Sequence, residues 1–157
     1  MLDKDIEKIK NLANRLRLLN GKIKLISLLE RAHDEYKQNN YNECENTCKK
    51  ILNSEPNNFV ALRGLGCIAQ SKKDYNLALH FYKKALETSI TKEIDYTLIG
   101  TIFYLQENLE EAIKYFNLAI DENENYDFAY EGRNQAMLEN HLKLIDLQDS
   151  LIKRKLF

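Results

Sequence analysis

A repeat constrains this chain more than any other feature. Three segments superpose at one fixed offset, so that Ile26, Val60 and Ile94 occupy the same position. They are ISLLERAHDEYKQNNYNECENTCKKILNSEPNN from Ile26, VALRGLGCIAQSKKDYNLALHFYKKALETSITK from Val60, and IDYTLIGTIFYLQENLEEAIKYFNLAIDENENY from Ile94. Their columns agree in type. Leu28, Leu62 and Tyr96 form a large column, and Ala32, Gly66 and Gly100 a small one. Tyr41, Tyr75 and Leu109 follow, then Cys44, Ala78 and Ala112, then Cys48, Tyr82 and Phe116, then Ile51, Ala85 and Ala119. A repeat of this kind means that each copy is one small unit that cannot bury its own apolar face and must stack on its neighbours.

Within each copy the apolar residues recur at three- and four-residue steps, as on one helix face. The small column lets two helices approach closely. QNNY, KKDY and QENL separate the halves, each giving polar turn residues and then one large apolar plug. Each copy therefore reads as a helix, a tight turn and an antiparallel helix. One Pro and five Gly leave little for a loop-rich or β-sandwich fold. Twenty-three basic and 24 acidic residues give a net charge of -1, which argues against a general nucleic-acid binder. The start, MLDKDIEKIK, carries acids and no long apolar run, so no secretory signal or transmembrane segment is expected. Three cysteines, Cys44, Cys48 and Cys67, fit reduced thiols and a cytoplasmic location. The 17 Asn read as compositional bias, at some cost in helix propensity.

On these columns the chain resembles the tetratricopeptide repeat (TPR) family, whose period of about 34 residues matches the offset between the copies. The second copy supplies Leu62, Leu65, Gly66, Ala78, Tyr82 and Ala85 to the family pattern. The third supplies Tyr96, Ile99, Gly100, Phe103, Ala112, Phe116 and Ala119. The first supplies Ala32, Cys44, Cys48, Ile51 and Pro56, and departs at Glu35, where the family has an aromatic residue; Ala69 departs likewise in the second copy. The resemblance implies an all-α fold. It would be a right-handed α-solenoid of three TPR helix-turn-helix units, 25–58, 59–92 and 93–126, between an N-terminal capping helix (1–24) and a C-terminal capping helix and tail (127–157).

The flanks are amphipathic. Leu2, Ile6, Ile9, Ala13 and Leu16 share a stripe over residues 2–19, and Asn20-Gly21 is expected to end that helix. It reads as a cap on the first unit or as a dimer contact. Residues 126–157 begin like a fourth first-helix, with Tyr130 in the large column and Asn134 in the small one. The pattern then fails at Asp146, Ser150 and Lys153, leaving one long capping helix whose foreseen weak point is Asp149-Ser150. Its stripe is Leu138, Leu142, Ile145, Ile152 and Leu156, and the tail LIKRKLF reads as a cap or a docking segment.

The resemblance also implies a concave groove lined by the first helices. Transferred residue by residue, it comprises Ile26, Leu29, His33, Tyr36, Val60, Arg63, Cys67, Gln70, Ile94, Leu98, Thr101, Tyr104 and Phe128. The surface is mostly apolar, with Arg63, His33 and Gln70 expected to set register. A terminal helix folding into the groove is the competing expectation. The Lys/Asn/Arg clamp by which one subclass holds the C-terminal carboxylate of Hsp70 or Hsp90 is absent, because Leu29, His33, Gly64, Ile94 and Leu98 occupy its positions.

No chemistry stands out. His33, His80 and His141 are scattered, and Cys44 and Cys48, four apart on one helix, occupy core columns rather than a four-ligand metal set. Cys67 faces the groove and is expected to be inert. No metal, cofactor or catalytic residue is expected. The expected function is a non-enzymatic protein-interaction module or scaffold that binds a peptide or amphipathic segment in the groove. Small bacterial TPR chaperones for type III secretion translocators are similar in layout, and a structural subunit docked through its terminal helices is the further alternative. The expected partners are another protein and, through the terminal helices, a second copy of the chain.

Overall fold

The computed structural model describes residues 2–155, with side chains at 10–148, 150 and 151. The elements are α1 (Leu2–Lys37), α2 (Tyr41–Ser54), α3 (Phe59–Ser71), α4 (Tyr75–Leu86), α5 (Lys92–Leu105), α6 (Leu109–Glu122) and α7 (Asp127–Lys155), and no strand occurs among the described residues. Each helix packs on the next in chain order; α1 also reaches α3, and α5 reaches α7. Three helical hairpins, α1–α2, α3–α4 and α5–α6, are thus stacked and closed by α7. This is the all-α solenoid of helix-turn-helix units that the repeat implies.

The turns within the hairpins are copies of one another. Asn39, Lys73 and Glu107 all take the left-handed conformation, with φ of 59°, 60° and 61°. Around each, two backbone bonds close the preceding helix. In the first turn Asn39 N–H donates to Tyr36 O and Asn40 N–H to Glu35 O; the same pairs recur at Lys73/Asp74 and Glu107/Asn108. That is a Schellman ending, usually built on Gly. Asp74 and Asn108 then cap the following helices by accepting from Leu77 N–H (3.1 Å) and Glu111 N–H (3.4 Å), and Asn58 caps α3 through Ala61 N–H (3.0 Å). The Asn content is therefore only partly a cost, since Asn39, Asn58 and Asn108 occupy positions that suit Asn better than a helix interior does.

The columns pack as their sizes require. Tyr82 is fully buried, and a Cβ placed on Gly66 would lie 2.3 Å from Tyr82 Cε1. Phe116 faces both Gly100 of its own unit and Gly132 of α7, where added Cβ atoms would approach it to 3.0 and 2.6 Å. Ala78, Ala85, Ala112 and Ala119 are fully buried behind these rings. Tyr130 packs with Ala119, Ile120 and Ala129, so α7 begins as a fourth first-helix. Asn134, in the small column, is exposed, because no eighth helix is packed there among the described residues to require a small side chain.

Two polar clusters reinforce this stack. Arg63 of α3 reaches across to Asp95 of α5, with Nε and Nη2 each 2.6 Å from a carboxylate oxygen. Nη2 also approaches Ser89 Oγ, Thr91 O and Thr91 Oγ1 at 2.7 Å, so one guanidinium ties the second unit to the third. In the first unit Glu35, the departure from the aromatic column, accepts from Thr47 Oγ1 and Arg31 Nε, both at 2.7 Å. Burial alone would raise the Glu35 carboxyl, but the Thr47 and Arg31 bonds and the charges of Arg31 and Lys50 hold it below its usual range.

The terminal helices differ from expectation. α1 runs unbroken through Asn20-Gly21, and its side chains from Lys10 to Lys24 are all exposed, so this stretch does not cover the first unit. A Cβ added at Gly21 would meet nothing within 4 Å outside its own helix, its φ is not positive, and nothing turns the chain there. α7 likewise continues through Asp149-Ser150. Leu2, Ile6 and Ile9 of the first stripe, with Ile152, Leu156 and the rest of the tail beyond Leu151, lie outside the residues whose side chains are described.

Candidate functional site

The junction between the first and second units is packed differently from the other two. In the column that carries Tyr82 and Phe116, the first unit has Cys48. The position that faces this column from the next unit is Gly64, Leu98 or Gly132 in turn, one repeat apart. The second junction opposes Tyr82 with Leu98, which packs against the same cluster. The third opposes Phe116 with Gly132, and the ring fills the space. The first opposes Cys48 with Gly64, a small residue against a small residue. A cleft of about 190 Å³ remains there, lined by Leu29, Ala32, His33, Tyr36, Cys44, Cys48, Val60, Ala61, Gly64 and Cys67.

Three helices build this cleft. α1 contributes Leu29 and Tyr36, half-buried and packed on the first unit's core, and His33, exposed at the rim. α2 contributes the floor, Cys44 and Cys48, and α3 the far wall from Val60 to Cys67. Val60 is exposed at the rim. Polar atoms are few. Tyr36 Oη lies 3.3 Å from Ser71 Oγ, which itself donates to Cys67 O, so the hydroxyl is held at one end.

The thiols are held neutral. Burial pushes the Cys48 thiol up to about 12 and raises Cys44, whose Sγ donates to Ala32 O at 3.2 Å. Cys67 is raised by burial as well, against the lowering effects of Tyr82 Oη at 3.4 Å and the Arg63 charge. A neutral, buried thiol is a poor nucleophile and a poor metal ligand. Among the described residues no three His, Cys, Asp or Glu side chains are grouped to hold a metal ion. What the cleft can do chemically is accept an apolar group. Its volume is below the roughly 300–1,000 Å³ typical of cofactor and small-molecule sites, so it suits one or two side chains of another polypeptide.

The sequence-derived groove divides on this geometry. Leu29, His33, Tyr36, Val60 and Cys67 gather around the cleft. Ile26 is exposed one turn before Leu29 on α1. Arg63 is not free to set register, because Asp95, Ser89 and Thr91 engage it. Gln70 accepts from the buried Tyr82 hydroxyl at 2.8 Å. Leu98 is a packing residue against the cluster around Tyr82, and Ile94 is half-buried. Thr101 Oγ1 donates back to Thr97 O within α5. Tyr104 packs on the cluster around Phe116 and accepts from Gln135 Nε2 at 3.1 Å. Phe128 is exposed at the start of α7 beside Tyr126. Sequence reasoning passed over Ala32, Cys44, Cys48 and Ala61 as lining residues. The signal was present in the columns: Cys48 is the one small member of an aromatic column. A wider depression of about 410 Å³ over residues 55–59 and Thr88 is formed by the α2–α3 loop and is open to solvent.

Comparison with known proteins agrees with this architecture. The family model described as Tetratricopeptide repeat matches residues 64–89 and 96–126, the second and third units. Among solved structures, the first TPR domain of the human RPAP3 protein superposes with a TM-score of 0.69 at 19% identity, over 76% of this chain and 94% of that one. The Yersinia enterocolitica type III secretion chaperone SycD, solved with a peptide of the translocator YopD, gives 0.66 at 18%, over 74% and 95%. A Thermobaculum terrenum O-GlcNAc transferase gives 0.67 at 22% over 72% of this chain, which spans only 22% of that protein.

Proposed function

We propose, from the premise that this chain is a tetratricopeptide-repeat protein, that it is a protein-interaction module whose working site is the cleft between α1, α2 and α3. The observation that carries the reading is the paired loss of volume at one junction, Cys48 against Gly64, where the other junctions place a large side chain. A partner segment inserts one or two large apolar side chains there, with Val60 and His33 at the rim. Affinity comes from apolar burial, about 1.5–3 kcal/mol for each fully buried Leu, Ile or Phe. Specificity is for shape rather than charge, because the lining offers few polar atoms and Arg63 is committed elsewhere. Service as a chaperone for a secreted translocator is a narrower form of this reading. It rests on layout and on likeness in fold to SycD, whose solved complex holds a translocator peptide.

The test is selection from a displayed library of random peptides, with the wild type beside Gly64→Leu and beside the rim variant Val60→Glu. Gly64→Leu gives the first junction the residue that the second has at Leu98. Enrichment of peptides with one or two large apolar anchors, lost in both variants, is the expected result. Enrichment that survives both variants would move the site elsewhere on the chain. No enrichment at all, with a partner lost on removal of α7 beyond residue 141, would make this a subunit docked through its terminal helix.

A further inference from the structure

We propose that the exposed stripe on α1 is the interface of a parallel two-stranded coiled coil between two copies of this chain. Leu12, Leu16, Leu19, Ile23 and Ile26 follow one another at alternating steps of four and three residues, and Ile9 continues the spacing in the sequence. This is a strict heptad seam, with Leu16 and Ile23 at a and Leu12, Leu19 and Ile26 at d. All five side chains are between 53% and 57% exposed. They lie on the opposite side of the helix from Leu25, Leu28 and Ala32, which pack into the first unit. The repeats therefore cannot turn to cover them. Nothing in the rest of the described chain supports residues 10–24, and a lone helix of that length is marginal in water. A second helix on the seam supplies what is missing.

The flanking residues select the occupant. Between Lys10 and Lys24 there are five cations and no acid. On one side of the seam, at g, stand Arg15 and Lys22; on the other, at e, stand Ala13, Asn20 and Ser27. In a parallel pair each g residue meets the e residue of the next heptad on the other helix. Arg15 then faces Asn20 of the second copy, and Lys22 faces Ser27. Basic flank meets neutral flank, and no like charges oppose. Antiparallel pairing would set Arg15 against Lys22, which repel. An acidic partner helix would find no charge along the e flank. A lipid surface would need a broad apolar face with a polar back, yet Leu18, on the back of the helix, is 69% exposed. Identical helices in parallel satisfy both flanks at once.

Light scattering on the full chain across a concentration series tests this. The expected mass is twice that of one chain. Leu16→Glu and Ile23→Glu should each return it to one chain while the near-ultraviolet circular dichroism of the repeat tyrosines stays unchanged. That signal confirms that the repeats remain folded, because neither residue touches them. A Leu19→Cys variant, oxidised in air, should run at double mass on a non-reducing gel, since like d positions meet only in the parallel arrangement. A one-chain or three-chain mass overturns the proposal. So does a doubled mass that survives both Glu variants, or a dimer that Leu19→Cys fails to cross-link. Co-sedimentation of one-chain protein with phosphatidylserine vesicles, abolished by Leu16→Glu, would assign the stripe to a lipid surface instead.

Discussion

Arg63 is the polar residue whose loss should cost most. Its Nε and Nη2 each lie 2.6 Å from an oxygen of Asp95, which is fully buried and has Arg63 as its partner. Arg63→Leu strands that carboxylate away from water. Breaking a buried pair from one side costs about 3–5 kcal/mol. Asp95→Leu is milder, because the Arg63 side chain is 14% exposed and keeps Ser89 and Thr91. Two charge-assisted bonds are lost and part of the desolvation is relieved, for a net of about 2 kcal/mol. The double variant removes both charges together and should cost only about 1–2 kcal/mol. The single changes thus exceed the double by roughly 4 kcal/mol, a large coupling for two side chains. Guanidinium unfolding followed by circular dichroism gives the cycle. In a chain of this length, a loss of about 4 kcal/mol also lowers Tm by about 8–16 °C. Additive single and double variants would refute the account of one guanidinium joining the second unit to the third.

The packing and the titrating groups set three further outcomes. Lys73→Gly should stabilise by about 0.5 kcal/mol, because a side chain in the left-handed region costs about 1 kcal/mol and added freedom of the unfolded chain returns part of it; Asn39→Gly should do less, and a lower denaturant midpoint for Lys73→Gly would contradict the Schellman reading. Gly66→Ala should destabilise by about 1–3 kcal/mol by displacing the Tyr82 ring, whereas Gly21→Ala, with open space around it, should raise helicity; equal effects by circular dichroism would sink the comparison. Stability should fall at both pH extremes. The Cys48 thiol, raised to about 12 from 9, contributes stability that is complete below pH 9 and lost as pH climbs toward 12; the lowered Glu35 carboxyl contributes above its ordinary 4.5 and is lost on acidification. Cys48→Ala should flatten the alkaline limb and Glu35→Gln the acid limb of a pH series of midpoints.

The helices were legible because repeat period and helix period agree in every unit, so three imperfect copies correct one another. The turns were legible for the same reason: QNNY, KKDY and QENL fall one repeat apart, and the structure gives them one geometry. The ends have no copies to correct them. Asn20-Gly21 reads as a stop by composition, yet a Gly inside a helix costs only about 1 kcal/mol, too little to end a helix with no reason to turn. The groove was legible only as a face. A template says which residues look toward the concave side. It does not say that Asp95, in the next unit, will take Arg63, or that Tyr82 will take Gln70.

The cleft has a consequence for where this solenoid is weak. Large buried side chains at a junction contribute about 3–5 kcal/mol each relative to Ala. The second and third junctions have the buried Tyr82 and Phe116 and the half-buried Leu98; the first has Cys48 and Gly64. In a linear stack, where each unit is held chiefly by its neighbours, that deficit stays local. Amide exchange should therefore be faster in α2 than in α4 or α6, although all three are of similar length and equally central to their hairpins. An apolar anchor that enters the cleft restores the missing burial. A bound peptide should then slow exchange in α2 selectively and raise Tm with concentration, as any ligand of the folded state does. Gly64→Leu is no substitute for the peptide here, because its Cβ would lie 2.8 Å from Cys48 Sγ and crowd the floor of the cleft. If α2 is already as protected as α4 in the free protein, the cleft is not a packing deficit, and the argument that it is reserved for another molecule's side chain fails with it.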